Sequence, residues 1–133
     1  MQGFVTKIRT DLNGALPNVE MLDGMLMTGD QNANYIQIEL TNDYKKVVVP
    51  QGTKIIGYFF RSDGQIIETT DSECHISDDG EVMIKVPDAA YTVPGMLSIS
   101  VRMFEDPVTK DGRITWKKRI TIASIKTYVK QTI

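Results

Sequence analysis

The sequence is poor in the residues that usually carry chemistry. Its 133 residues include one cysteine, Cys74, and one histidine, His75. A single cysteine excludes an internal disulfide and any multi-cysteine zinc site, and a single histidine excludes a histidine-rich metal site. No apolar stretch approaches the roughly 20 residues that a membrane helix needs; the strongest, Ile55–Phe60, is far shorter. The N-terminus does not read as a signal peptide, because Lys7, Arg9 and Asp11 arrive too early. Gly-x-Gly-x-x-Gly, Gly-Lys-Ser and Gly-Lys-Thr are all missing, so no phosphate-cradling loop is expected. Aromatic residues make up 8% of the chain and are scattered (Tyr35, Tyr44, Tyr58, Tyr91, Trp116, Tyr128), unlike the clustered platforms of saccharide binders. A net charge of −2 gives no sign of a nucleic-acid partner.

Two constellations fail on inspection. Cys74 and His75 are adjacent, and neighbours on a strand point to opposite faces, so they make no thiolate–imidazole pair. Asp30-Gln31-Asn32-Ala33-Asn34 opens like a calcium loop, but the sixth position is Tyr35 and the twelfth is Thr41, where glycine and glutamate are required. The acidic group Asp71, Glu73, Asp78, Asp79 and Glu81 reads as a solvated hairpin region. Neither catalysis, nor a cofactor, nor metal dependence is expected.

What the sequence has in quantity is β-forming residues. Ile, Val and Thr number 39 of 133, and branched side chains suit a pleated surface. Apolar residues alternate in Tyr35–Leu40, Glu81–Val86 and Met96–Phe104, the period of half-buried strands. Lys54–Arg61 is apolar on both faces, which predicts a strand covered on both sides. Arg113–Ala123 alternates around Trp116, Ile120 and Ile122 with Lys118 interrupting, which predicts a bulge near Lys117-Lys118 or a snorkelling lysine. Ser62-Asp63-Gly64, Asp78-Asp79-Gly80 and Lys110-Asp111-Gly112 are hairpin turns, because glycine takes positive φ readily. Pro87–Gly95 is too long for a tight turn and predicts a short helical turn at Asp88–Tyr91 that carries the chain between sheets.

These elements predict an all-β chain, an immunoglobulin-like sandwich of about 7–9 strands. Residues 1–133 form a single domain, with the sandwich over about 20–123 and arms at 1–18 and 124–133. The expected core comprises Ile36, Ile38, Leu40, Phe59, Val82, Ile84, Leu97, Ile99, Val101 and Trp116. Leu12–Asn18 is turn-like. Met21, Met25 and Met27 are core filler or a soft contact surface. The segment Ser124–Ile133 either pairs with another chain or extends the last strand of its own sheet.

Charge is unevenly spread. Residues 63–88 hold eight acids and one base, Lys85; residues 113–133 hold six bases and no acid. The two regions are solvated faces or complementary patches on neighbouring subunits of a homo-oligomer. The candidate interaction residues are Arg113, Lys117, Lys118, Arg119, Lys126, Tyr128 and Lys130.

Thr28-Gly29-Asp30-Gln31-Asn32-Ala33-Asn34-Tyr35-Ile36-Gln37-Ile38-Glu39-Leu40 resembles the opening of the N-terminal domain of phage baseplate upper proteins, a Gly-Asp-x-Asn-x-Asn turn followed by an alternating strand. The likeness continues in family order through Gly57–Gly64, Asp79–Pro87 and Pro94–Ile99, covering about residues 20–123. Ser62 stands where the family often has proline. The resemblance implies a structural module of a phage or prophage tail baseplate. Such a module docks onto other tail proteins, supports receptor-binding proteins, resides in the virion tail and uses no nucleic acid or membrane. A carbohydrate- or cell-surface-binding sandwich is the alternative.

Overall fold

The structure, a computed structural model, describes residues 4–12, 19–29 and 34–131. Residues 13–18 of the turn expected at Leu12–Asn18, residues 30–33 of the polar segment and the last two residues lie outside these. The side chains of Met21, Met25 and Met27 also fall outside the description.

Alternating sequence becomes alternating burial. In β3 (Asn34–Asn42), Asn34, Ile36, Ile38 and Leu40 are buried while Tyr35, Gln37 and Glu39 are half-exposed. The same rhythm runs through β5 (Lys54–Phe60) and the first half of β9 (Gly95–Lys110). The other strands are β1 (Phe4–Asp11), β2 (Val19–Met27), β4 (Lys45–Val47), β6 (Ile66–Glu68), β7 (Cys74–Ile76), β8 (Val82–Lys85) and β10 (Arg113–Lys130).

The strands form two five-stranded sheets. One has the order β1-β3-β8-β7, with β4 continuing the same edge of β3 beyond β8. The other has the order β2-β10-β9-β5-β6. In immunoglobulin lettering, β1, β3, β8 and β7 stand as A, B, E and D, and β5, β9 and β10 as C, F and G. One departure is the parallel pairing of β1 with β3.

A buried layer between the sheets joins Ile36, Ile38, Leu40, Val82 and Ile84 from one side to Phe59, Leu97, Ile99, Val101 and Ile125 from the other. Each such side chain contributes about 1.5–3 kcal/mol by leaving water. The 3-10 turn Asp88–Tyr91 carries the chain from β8 in one sheet to β9 in the other, as expected. Tyr91 is fully buried there, and its hydroxyl donates to Asp88 Oδ1 at 2.8 Å.

Five expectations are corrected. Residues 124–130 are not an arm. They pair with β9 on one side and β2 on the other, and Ile125, Thr127 and Val129 are buried. At the other end Phe4–Asp11 is a strand of the first sheet rather than an arm, because β3 supplies its backbone partners. The bulge lies between Thr121 and Ala123, not at Lys117-Lys118. Trp116 is only half-buried, because it pairs with Pro107, past the last β5–β9 pair at Phe104, and lines an open cleft instead of the sealed core. Nor is the outer face of β5 covered. Ile56, Tyr58 and Phe60 are half-exposed, with the Arg102 guanidinium 4.6 Å from the Tyr58 ring centre.

Candidate interaction surfaces

The strands β9 and β10 outrun the sheet that holds them. β5 stops pairing with β9 at Phe104, and β2 pairs with β10 only from Ser124 onward. Among the described residues, Glu105–Lys110 and Arg113–Arg119 therefore ladder only with each other or with Phe104. The result is a two-stranded arm about 20 Å long. Asp106 marks its root with φ of 55°, followed by Pro107, whose missing N–H is tolerated at an unpaired strand edge. Lys110-Asp111-Gly112-Arg113 closes the tip, with Asp111 at 53° and Gly112 at 75°. Trp116 packs against Phe104 with ring centres 6.2 Å apart, tilted by 55°. Farther out Ile114 is 60% exposed.

The bulge decides where the candidate cations point. On the tip side of Ile122 the odd-numbered residues of β10 face outward; beyond it the even-numbered ones do. This follows from the pairing of Arg119 with outward Phe104 and of Ile125 with inward Ile99. One extra residue thus sets Arg119 on the outer face with Lys126, Tyr128 and Lys130, all exposed. Arg113, Lys117 and Lys118, farther out on the arm, are exposed as well, and Lys118 sits 3.6 Å from Asp106.

The acidic region does not form a matching patch. Asp63 takes the Arg61 guanidinium at 2.5 Å, and Asp71 takes the Lys54 ammonium. Glu73 accepts the Thr70 backbone N–H at 2.7 Å, closing a capping box. Glu81 accepts from the Gln37 amide at 2.5 Å and from Lys46 at 3.3 Å. The hydrogen bond from Arg61 holds the Asp63 carboxyl below its ordinary range. The Gln37 amide, then Lys46, does the same for Glu81. Glu68, Asp78 and Asp79 are exposed.

A cleft of about 400 Å³ lies at the root of the arm. Trp116 contributes to its lining, as do Gln51–Ile55, Asp71 and Cys74–Ile76. Cys74 directs its thiol to Thr69 Oγ1 at 3.1 Å rather than to His75, and burial raises its pKa. A protonated thiol is a poor nucleophile. Among the described residues no group of three His, Cys, Asp or Glu is placed to hold a metal ion, and no helix is long and apolar enough to cross a membrane.

A second projection was not foreseen. Asn42 pairs with Lys45, so Asp43-Tyr44 is a two-residue hairpin loop, with φ of 54° and 65°. That conformation suits Asn-Gly or Asp-Gly, yet Tyr44 occupies the glycine position and is 89% exposed. Asn42-Asp43 was the available turn signal; a tyrosine in the next position hides it.

No protein-family model matches the chain, and no curated protein matches it. Among solved structures, the chain is similar to one described as the N-terminal domain of phage TP901-1 ORF48. That match has a TM-score of 0.57 at 11% identity, covering 95% of this chain and 98% of that one. At that identity the likeness is one of fold, and the fold is that of a phage protein's N-terminal domain.

Proposed function

We propose that this chain is a structural module of a phage or prophage tail baseplate, residing in the virion tail, where it docks onto other tail proteins and supports receptor-binding proteins. The observation that carries the reading is the near-complete overlap with a phage protein domain, 95% of this chain on 98% of that one. The surface chemistry fits the role. β10 carries six exposed cations and the exposed Tyr128 along a length on the order of 50 Å, suited to a protein partner rather than a small molecule. Exposed charges of one sign steer association and fix register. The module works by contact, without catalysis or cofactor, and takes neither nucleic acid nor membrane as partner.

The test is to purify tail-bearing particles from the strain that carries the gene. The chain should appear in them by mass spectrometry at fixed stoichiometry to the tail proteins, with antibody-gold at the tail tip. Recovery only from the particle-free fraction would overturn the reading.

A further inference from the structure

The Asp43-Tyr44 hairpin is a cost without a visible return inside the chain. A bulky residue at positive φ is a backbone outlier, and such strain persists where it serves a function. Tyr44 has φ of 65° and is 89% exposed, so the strain is not repaid by burial within its own chain. Glycine would fit the loop without penalty. Tyrosine instead projects a rigid amphipathic side chain, the type enriched among residues that dominate binding energy.

The same molecule carries a receptor of suitable chemistry. The cleft at the root of the arm holds about 400 Å³, with apolar lining from Trp116, Ile55 and Ile76 and hydrogen-bonding groups on Gln51, Asp71 and His75. Tyrosine needs both, a dry wall for its ring and a polar partner for its hydroxyl. Charge leans the same way. Lys45 is exposed beside Tyr44, and Lys46, also exposed, shares its charge with Glu81 at 3.3 Å. At the cleft Asp71 is taken by Lys54 and Glu73 by the Thr70 backbone N–H. The exposed Asp78 and Asp79 follow directly on Ser77, whose carbonyl is held by the cleft residue Gln51.

We propose that Tyr44 seats in the cleft beneath Trp116 of a second copy of this chain. Knob and cleft are different patches, so the contact is head-to-tail and builds a ring or a filament according to whether its rotation closes. The inference goes beyond the tail-module reading and stands or falls apart from it.

Sedimentation velocity from about 1 μM to about 1 mM tests it. Wild type should grow past the dimer with concentration. Tyr44→Gly should weaken self-association roughly 30-fold or more, while its thermal midpoint holds or rises. Trp116→Ala should also be monomeric; Asp71→Lys, at an exposed position on the cleft mouth, replaces it if the tryptophan variant fails to fold. An equimolar mixture of Tyr44→Gly with the cleft variant should form a one-to-one dimer and nothing larger, since each supplies the half the other lacks. A wild type that stays monomeric throughout overturns the proposal. So does a Tyr44→Gly variant that associates like wild type, or a mixture that stays monomeric.

Discussion

One hairpin of this molecule lives in two environments. In β9, Leu97, Ile99, Val101 and Met103 are buried against the opposite sheet, whereas residues 105–110 of the same strand, past the last β5 pair, are exposed or half-exposed. β10 repeats the contrast, with Ile122, Ala123, Ile125 and Val129 buried and Ile114 largely exposed. Backbone pairing is continuous across both halves; what changes is the presence of a second layer. Pairing defines a strand, and the facing sheet decides whether its side chains stabilise the fold or remain available to a partner. A two-stranded ribbon is marginal in water by itself, so the arm is held by its rooting in the body.

The sharpest way to break this comparison is to remove the same side chain from both halves. Ile99→Ala should destabilise the chain by about 2–5 kcal/mol through lost burial and a cavity. Ile114→Ala should stay within about 0.5 kcal/mol. Urea denaturation of the two variants would read the difference, and a loss at Ile114 comparable to that at Ile99 would show that something covers the arm.

The turns give a second, smaller contrast. A Cβ on Gly80, at φ of 79°, would come within 2.4 Å of Val48 Cγ1 and 2.8 Å of Val48 Cα. Gly80→Ala therefore adds overpacking to left-handed strain, about 2–4 kcal/mol in all. Gly112 has φ of 75° with nothing within 4 Å of the Cβ position, so Gly112→Ala should cost only the conformational penalty, about 1 kcal/mol. Similar thermal midpoints for the two would refute the packing of Val48 onto the β7–β8 turn.

Electrostatics gives the smallest contrast. Glu81, in the body, is held below its ordinary pKa first by Gln37 and then by Lys46. A carboxyl with a depressed folded pKa contributes stability above its unfolded pKa and loses it as pH falls through the folded one. Glu81→Gln should flatten the acid side of the stability profile. Lys118 and Asp106, an exposed pair on the arm, should contribute almost nothing, so Lys118→Ala should leave the profile unchanged.

Much of the body was legible in the sequence because its signals are local. Period-two alternation located β3, β8 and the inner half of β9, and Asp-Gly located the turn at Gly112. The proline-flanked segment gave away the crossover at Asp88–Tyr91. What was hidden depends on distant partners. Alternation around Trp116 and Ile120 looks the same whether or not a second layer lies opposite, so the pattern by itself puts the tryptophan in the core. Ser124–Lys130 looks like a loose end until β2 is known to flank it. The bulge at Ile122 is silent because isoleucine and alanine are apolar in either phase. Yet it is this residue that brings Arg119 into line with Lys126, Tyr128 and Lys130. The candidate cations are exposed, and the phase shift between Arg119 and Lys126 is not readable from spacing alone.

The most direct measurement separates the arm from the body. Replacing Asp106–Lys117 with Asn-Gly would join Glu105 to Lys118, an existing cross-strand pair, through a loop of the favoured type. The shortened chain should keep its thermal midpoint to within about 5 °C, because no buried side chain is lost. Its incorporation into tail particles, measured beside the full chain in a strain deleted for the gene, should fall to background. A shortened chain that folds and still enters particles at the full stoichiometry would contradict the account.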